Sequence, residues 1–283
     1  MKEDILYITT KDDPEIKIRI AKYPSKDDKY SSRMMILIPG WLSGIDTYSP
    51  LAEALMQYGN VIIYEPRGFG KSITPHKKGL FSPEEFRKEL ACVLKKLNVV
   101  EKKFIIFGGS SGGYQAMDYY VHGEGPKPYA LALISPQDEV PLPFFLPIFG
   151  WIPSFIMEFI QRVIVFFYYL VLKLKRKGET QNVSWAAERL KVNDGWCMRR
   201  FILEFNAEYD IKNKLKELDV PLIMFVGAED YFVDPEAAKR FMHNPDSEII
   251  TLKIVQHRIH EGNEEELAKK TNKFLEKLSR KSE

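Results

Sequence analysis

Short apolar runs alternate with amphipathic stretches along most of this chain. Runs at 5–8 and 16–21 flank a turn at Lys11-Asp12-Asp13-Pro14 and predict two strands of a hairpin. The run at 34–38 is stopped by Pro39-Gly40 and predicts a short buried strand. Leu51, Ala54, Leu55 and Tyr58 fall at helical spacing within 48–58, and a further strand follows at 61–64. Ser82-Pro83-Glu84-Glu85 combines a capping serine, a proline at the first helical position and acids in the first turn. A helix therefore starts there and runs to residue 97. A strand at 104–107, a glycine-rich turn, a helix at 111–122 and a strand at 130–134 come next. After a long break the alternation resumes: a strand at 222–226, a short helix at 235–242, a strand at 249–255 and an amphipathic helix at 264–278.

Strands alternating with helices in this way predict an α/β fold, with a mostly parallel twisted sheet and helices on both faces. The break reads as a helical insertion between two strands of one sheet. The expected division is a core of 1–135 and 220–283 with a cap at 136–219, whose later part, 184–192 and 195–218, continues as helices. A length of 283 residues, about two domains at ~150 residues each, becomes one interrupted domain.

The insertion is where the polarity pattern departs from the rest. Of residues 141–172, 23 are apolar and ten aromatic. Pro141, Pro143, Pro147 and Pro153 forbid one continuous helix in its first half. From 155 to 172 only Glu158, Gln161 and Arg162 are polar, and a Lys/Arg cluster follows at 173–177. A membrane-spanning helix is one reading, but the uninterrupted apolar run at 163–172 is short of the ~20 residues a span needs. A lid over a lipophilic pocket is the second. A lid that also docks at a membrane surface through 141–177 is the third.

Composition adds exclusions. Hydrophobic residues at 45% and charged residues at 28% are ordinary for a globular protein. A net charge of +2 gives no footprint for nucleic acid. Cys92 and Cys197 are the only cysteines and form no C-x-x-C, which argues against a disulfide framework or a cysteine-based metal centre. Nothing asks for an oxidising compartment, and no secretory signal is visible at the start of the chain. A cytoplasmic protein is expected, peripheral to a membrane if the cap docks.

The chemistry concentrates at Phe104-Ile105-Ile106-Phe107-Gly108-Gly109-Ser110-Ser111-Gly112-Gly113. A buried strand meets G-x-S-x-G and a helix follows, so a serine hydroxyl is presented on a strained turn above the sheet. Two registers fit, with Ser110 or Ser111 as the nucleophile, and Ser110 is preferred because Gly108 then directly follows the strand. A nucleotide-binding turn is the rival reading. It fails because 108–113 is no G-x-G-x-x-G and Gly70-Lys71-Ser72 lacks the first glycine of a phosphate-binding loop.

These residues resemble the α/β-hydrolase superfamily, whose members often carry G-H-S-M-G-G here. The resemblance extends to 36–41, similar to the family's strand and H-G; to 65–72, similar to D-x-R-G-x-G-x-S; and to 221–230, similar to its G-x-x-D strand. Pro39 stands for the usual His, Glu65 for the usual Asp and Gly109 for the common His. A serine needs a base, and the base an orienting acid, following it in the order Ser, acid, His. The resemblance implies Asp230 as the acid, ahead of Glu229, Asp234 and Asp138. Two histidines follow the last strand. The resemblance favours His257, because the family's histidine precedes the hydrophobic start of the last helix by some ten positions and Leu267, after Glu264-Glu265-Glu266, stands there; His260 is the fallback, and His76, His122 and His243 fall elsewhere. The implied oxyanion donors are the backbone N–H groups of Trp41 and Ser111. Arg67-Gly68 is expected to be structural.

The expectation is thus a serine hydrolase of α/β-hydrolase fold with a helical cap, similar to esterases and monoacylglycerol lipases. It would use no cofactor and no metal, His257-x-x-His260-Glu261 having no third ligand cluster nearby in sequence. The expected substrate is a small lipophilic carboxylic ester, a guess that rests on the apolar cap. A thioesterase, C–C hydrolase, acyltransferase, haloperoxidase or non-catalytic ligand-binding protein would use the same fold.

Overall fold

The computed structural model describes residues 4–10, 13–99, 103–140, 152–153, 156, 159–160, 163, 188–189, 192–228, 230, 233, 236–253 and 257–281. Most of the apolar stretch 141–172, the Lys/Arg cluster and Glu229 and Asp234 lie outside them. Eight strands form one sheet: β1 (Asp4–Thr9), β2 (Lys17–Tyr23), β3 (Met34–Ile38), β4 (Asn60–Glu65), β5 (Phe104–Gly109), β6 (Ala130–Ile134), β7 (Leu222–Gly227) and β8 (Glu248–Leu252). Their order is β1-β2-β4-β3-β5-β6-β7-β8. The hairpin β1–β2 and the β2–β4 pair are antiparallel, and every later pair is parallel. Every residue of β3, β5, β6 and β7 is buried, as expected where helices cover both faces of a parallel sheet.

Alternate strand residues feed two cores. Ile36, Ile38, Ile106, Leu131 and Met224 point to one side, where α2 (Pro83–Lys96) and α3 (Ser111–His122) pack. Leu37, Ile105, Phe107, Ala132 and Phe225 point to the other, under α1 (Ile45–Leu55) and α5 (Glu264–Lys281). Leu267, Ala268, Thr271, Phe274 and Leu275 form the buried stripe of α5, at the spacing an amphipathic helix requires. The chain leaves β3 for β4 on one side, then returns to place β5 on the other. The C-terminal ends of β3 and β5 therefore open a crevice at a topological switch point, the usual ligand position in such sheets.

The insertion leaves the sheet after β6 and returns at β7, its direct neighbour. Its return leg is not the helix expected over 195–218. A short α4 (Gly195–Arg200) passes into a π-helical turn (Phe201–Asn206), and a 3-10 turn (Lys212–Glu217) follows. The break falls where Asp210 pairs with Glu139 in an isolated bridge. Ahead of it the rings are spaced to meet the core. Phe201 packs edge-on against Phe69 (5.0 Å) and Phe86 (5.4 Å), and Phe205 edge-on against Phe86 (5.2 Å). Of the helix expected at 235–242, the described residues form a 3-10 turn, Ala237–Phe241. Among the described residues, no helix is long and apolar enough to cross a membrane.

One buried ion pair ties the loop after β4 to α2. Arg67 donates from Nε to Glu89 Oε2 (2.8 Å), from its backbone N to Glu89 Oε1 (3.0 Å) and from Nη1 to the Leu80 carbonyl (2.9 Å) and Glu85 (3.1 Å). Both Arg67 and Glu89 are buried, and burial pushes the Glu89 carboxyl upward against the pull of the guanidinium. Arg67→Met should cost about 3–5 kcal/mol of stability, because it strands a buried carboxylate. Urea unfolding measures this, and Arg67→Met with Glu89→Met should recover much of the loss.

Candidate active site

The turn from β5 into α3 is held in an unusual backbone conformation. Ser110 has φ 47° and ψ −114°, outside the common regions for a residue with a side chain. Such strain costs of order 1–3 kcal/mol and persists only where the surroundings hold it. Here Ser110 N donates to the Ile134 carbonyl of β6 at 2.7 Å, and Ser110 O accepts from Gly113 N (2.8 Å) and Tyr114 N (3.2 Å). The turn also needs close approach. A Cβ on Gly112 would lie 2.1 Å from the Ile38 carbonyl, and one on Gly109 would lie 1.9 Å from the Tyr48 hydroxyl. The position where similar sequences carry a histidine is thus filled from α1.

Of the two serines, the fold brings Ser110 to the other candidates. Its Oγ is 2.9 Å from His257 Nε2. His257 Nδ1 lies 3.0 and 3.1 Å from the two carboxylate oxygens of Asp230. The carboxylate fixes the neutral tautomer: Nδ1–H donates to Asp230, and Nε2 is left to accept from the serine hydroxyl. Asp230 follows β7, its side chain fully buried, and Oδ1 also accepts from Val233 N at 3.3 Å. Ser111 instead begins α3, with its hydroxyl buried and without a partner.

A further polar contact of Asp230 comes from a residue that the sequence motifs do not single out. Ser135, fully buried after β6, donates its hydroxyl to Asp230 Oδ2 at 2.7 Å. Its signal was a polar residue closing the apolar run 130–134, one strand over from the nucleophile. Of the rival acids within the described residues, Asp138 is occupied elsewhere, accepting from Arg240 Nη2 at 2.6 Å.

The oxyanion candidates flank the serine. A Cβ on Gly40 would lie 2.9 Å from the Gly109 carbonyl and 3.4 Å from Ser110 Cβ, so the chain entering Trp41 runs alongside the nucleophile. The Trp41 indole is partly exposed, with Nε1 donating to the Met198 carbonyl of α4 at 3.4 Å. Glu65, standing for the family's Asp, is buried behind this loop. It accepts from Ile45 N (2.7 Å), Lys71 N (2.8 Å) and Arg19 Nη1 (3.2 Å).

His260, the fallback base, is placed elsewhere. It is buried and stacked on Tyr48 with ring centroids 4.2 Å apart, and its Nε2 has no hydrogen-bond partner. Burial, with Arg258 and His257 adding, pushes its pKa down to about 3. An unfolded histidine titrates near 6.5, so between these values the unfolded chain binds a proton that the folded chain refuses. The contribution of His260 to stability is therefore constant above about pH 6.5 and falls on acidification at up to about 1.4 kcal/mol per pH unit. In urea unfolding from pH 7.5 to 4, His260→Phe should flatten that loss relative to the wild type.

The family model described as serine aminopeptidase, S33 matches residues 30–266. No curated protein sequence matches the chain. An esterase from Exiguobacterium antarcticum superposes with TM-score 0.72 at 16% identity, over 95% of this chain and 98% of that one. An enol-lactonase from Burkholderia xenovorans LB400 gives 0.73 at 15%, over 95% and 99%. A thermophilic esterase from Thermogutta terrifontis gives 0.71 at 19%, over 97% and 98%. At these identities the likeness speaks for the fold, and the family model for descent: the chain belongs to the serine aminopeptidase S33 family of the α/β-hydrolases.

Proposed function

We propose that this α/β-hydrolase is a serine esterase acting on a lipophilic carboxylic ester, such as a monoacylglycerol. The observation that carries the reading is the continuous hydrogen-bonded line from Ser110 Oγ through His257 to Asp230. Ser110 attacks the ester carbonyl as His257 Nε2 takes its proton, and a C–O bond forms to give a tetrahedral oxyanion. Backbone N–H groups of Trp41 and Ser111 hold that charge. His257 passes the proton to the departing alcohol, leaving an acyl-serine. Water, activated by His257, then releases the acid and restores the serine. Asp230, steadied by Ser135, orients His257 and stabilises the imidazolium.

The choice of an ester over a peptide bond draws on the esterase and lactonase neighbours. The lipophilic preference draws on the composition of 141–172 and on the exposed Ile156 and Phe159 in that stretch. The same exposed side chains favour docking of the cap on a lipid surface.

A fluorophosphonate probe should label the wild type and not Ser110→Ala; an unlabelled wild type would overturn the serine mechanism. With p-nitrophenyl esters, Ser110→Ala and His257→Ala should each lower kcat by roughly 10⁴-fold or more, and Asp230→Asn by about 10⁴-fold. Across a series from acetate to palmitate, kcat/KM should rise with chain length, and a preference for acetate would refute the lipophilic pocket. Co-sedimentation with anionic liposomes should weaken when 141–177 is replaced by a short polar linker.

A further inference from the structure

We propose that His76, Asp194 and Cys197 form a zinc site that pins the return leg of the insertion to the loop after β4. One donor atom from each of the three side chains falls within 4.8 Å of the others. They come from two segments far apart in sequence, the core loop at 76 and the start of α4.

Each side chain is already held for the task. Asp194 Oδ2 lies 2.8 Å from His76 Nε2, while Oδ1 accepts from Cys197 N at 2.9 Å. Trp196 stacks on the His76 ring, with centroids 4.7 Å apart and planes 16° apart, and fixes the direction of the ring edge. Cys197 is buried against the Gly68 turn, where a Cβ on Gly68 would lie 2.7 Å from Cys197 Cβ. His76 and Asp194 are half-exposed, so a fourth position faces solvent.

The donor set selects the metal. Nitrogen, sulfur and carboxylate oxygen together suit tetrahedral zinc, whereas calcium and magnesium take oxygen. Zinc bonds of about 2.0–2.3 Å place donor atoms roughly 3.3–3.8 Å apart. The three donor atoms bracket that spacing: His76 and Asp194, hydrogen-bonded at 2.8 Å, would open as the metal takes the place of the proton between them, and every donor pair already lies within 4.8 Å. Without a metal, burial keeps the Cys197 thiol protonated. On binding, the thiol releases its proton to solvent, and thiolate and Asp194 carboxylate together balance the dication. A site of zero net charge is well matched to this half-buried position. The site shares no residue with the Ser110–His257–Asp230 line and is independent of the esterase reading.

Cobalt(II) is the probe. The purified chain should bind one equivalent, with a thiolate-to-cobalt charge-transfer band and the strong visible absorption of tetrahedral cobalt. Equimolar zinc(II) should abolish both. The spectrum should persist in Cys92→Ser and vanish in Cys197→Ser. His76→Gln and Asp194→Asn should each weaken binding by at least the roughly 10–100-fold that loss of an outer partner costs a metal site. Absence of a thiolate band in Cys92→Ser at saturating cobalt overturns the proposal, leaving a hydrogen-bonded strap. That variant decides the matter even if Cys197→Ser does not fold, because Cys197 is then the sole thiol.

Discussion

The site depends on a short ladder of backbone hydrogen bonds across the C-terminal ends of β5, β6 and β7. Ser110 N donates to the Ile134 carbonyl, and Ser135 N, one residue further on, donates to the Phe225 carbonyl. Both serines adopt positive φ, 47° and 45°, so the chain makes the same sharp exit from adjacent strands. The ladder fixes the spacing between the nucleophile on one strand and the acid that follows the next strand but one. Ser135 completes the coupling, since its hydroxyl reaches Asp230 while its amide grips the strand that carries Asp230. The strain at Ser110 is borne by these contacts, which explains how a β-hydroxyl residue occupies a conformation favoured by glycine.

Behind the ladder, buried charges do what hydrophobic packing alone does not: they fix loop directions. Glu65 gathers backbone amides from Ile45 and Lys71, holding the start of α1 and the loop after β4 to one carboxylate. Gly44 and Gly70 leave room for it, as a Cβ on either would come within 2.5 Å of its Oε1. Burial pushes this carboxyl upward, and the two amides and Arg19 act against that shift. Arg67 and Glu89 repeat the device on the other face. The crevice above β3 and β5 is thereby walled by loops of defined direction.

Local signals were legible where the cause is local. Ser82-Pro83 starts α2, the serine accepting from Glu85 N, and the apolar run 130–134 is β6 itself. The expected start of α1 was three residues late, because the group that meets the Ile45 amide is Glu65, twenty positions away. The return leg of the insertion departs from its expected helix for a similar reason. Its ring spacing resembles an ordinary helix, but packing on Phe69 and Phe86 and the Glu139 bridge decide its path. Ser110, His257 and Asp230 were legible as candidates because chain order in such folds constrains them. Ser135 and the His76–Asp194–Cys197 cluster were not, since each joins residues that only the folded chain brings together.

Two histidines three positions apart show environment sorting chemistry. The His257 ring meets a carboxylate on one edge and a hydroxyl on the other, and both contacts need a polar ring. The His260 ring meets the face of Tyr48 and leaves Nε2 unpaired, so it behaves as a flat, neutral wall. That wall has a purpose in the packing. Tyr48, backed by His260, projects its hydroxyl into the space beside Gly109 that a side chain would otherwise take. Any side chain at 109 would displace Tyr48 and with it the support of the strained serine. Glycine at 109, where the resembling sequences commonly carry a histidine, is therefore the complement of the Tyr48–His260 stack.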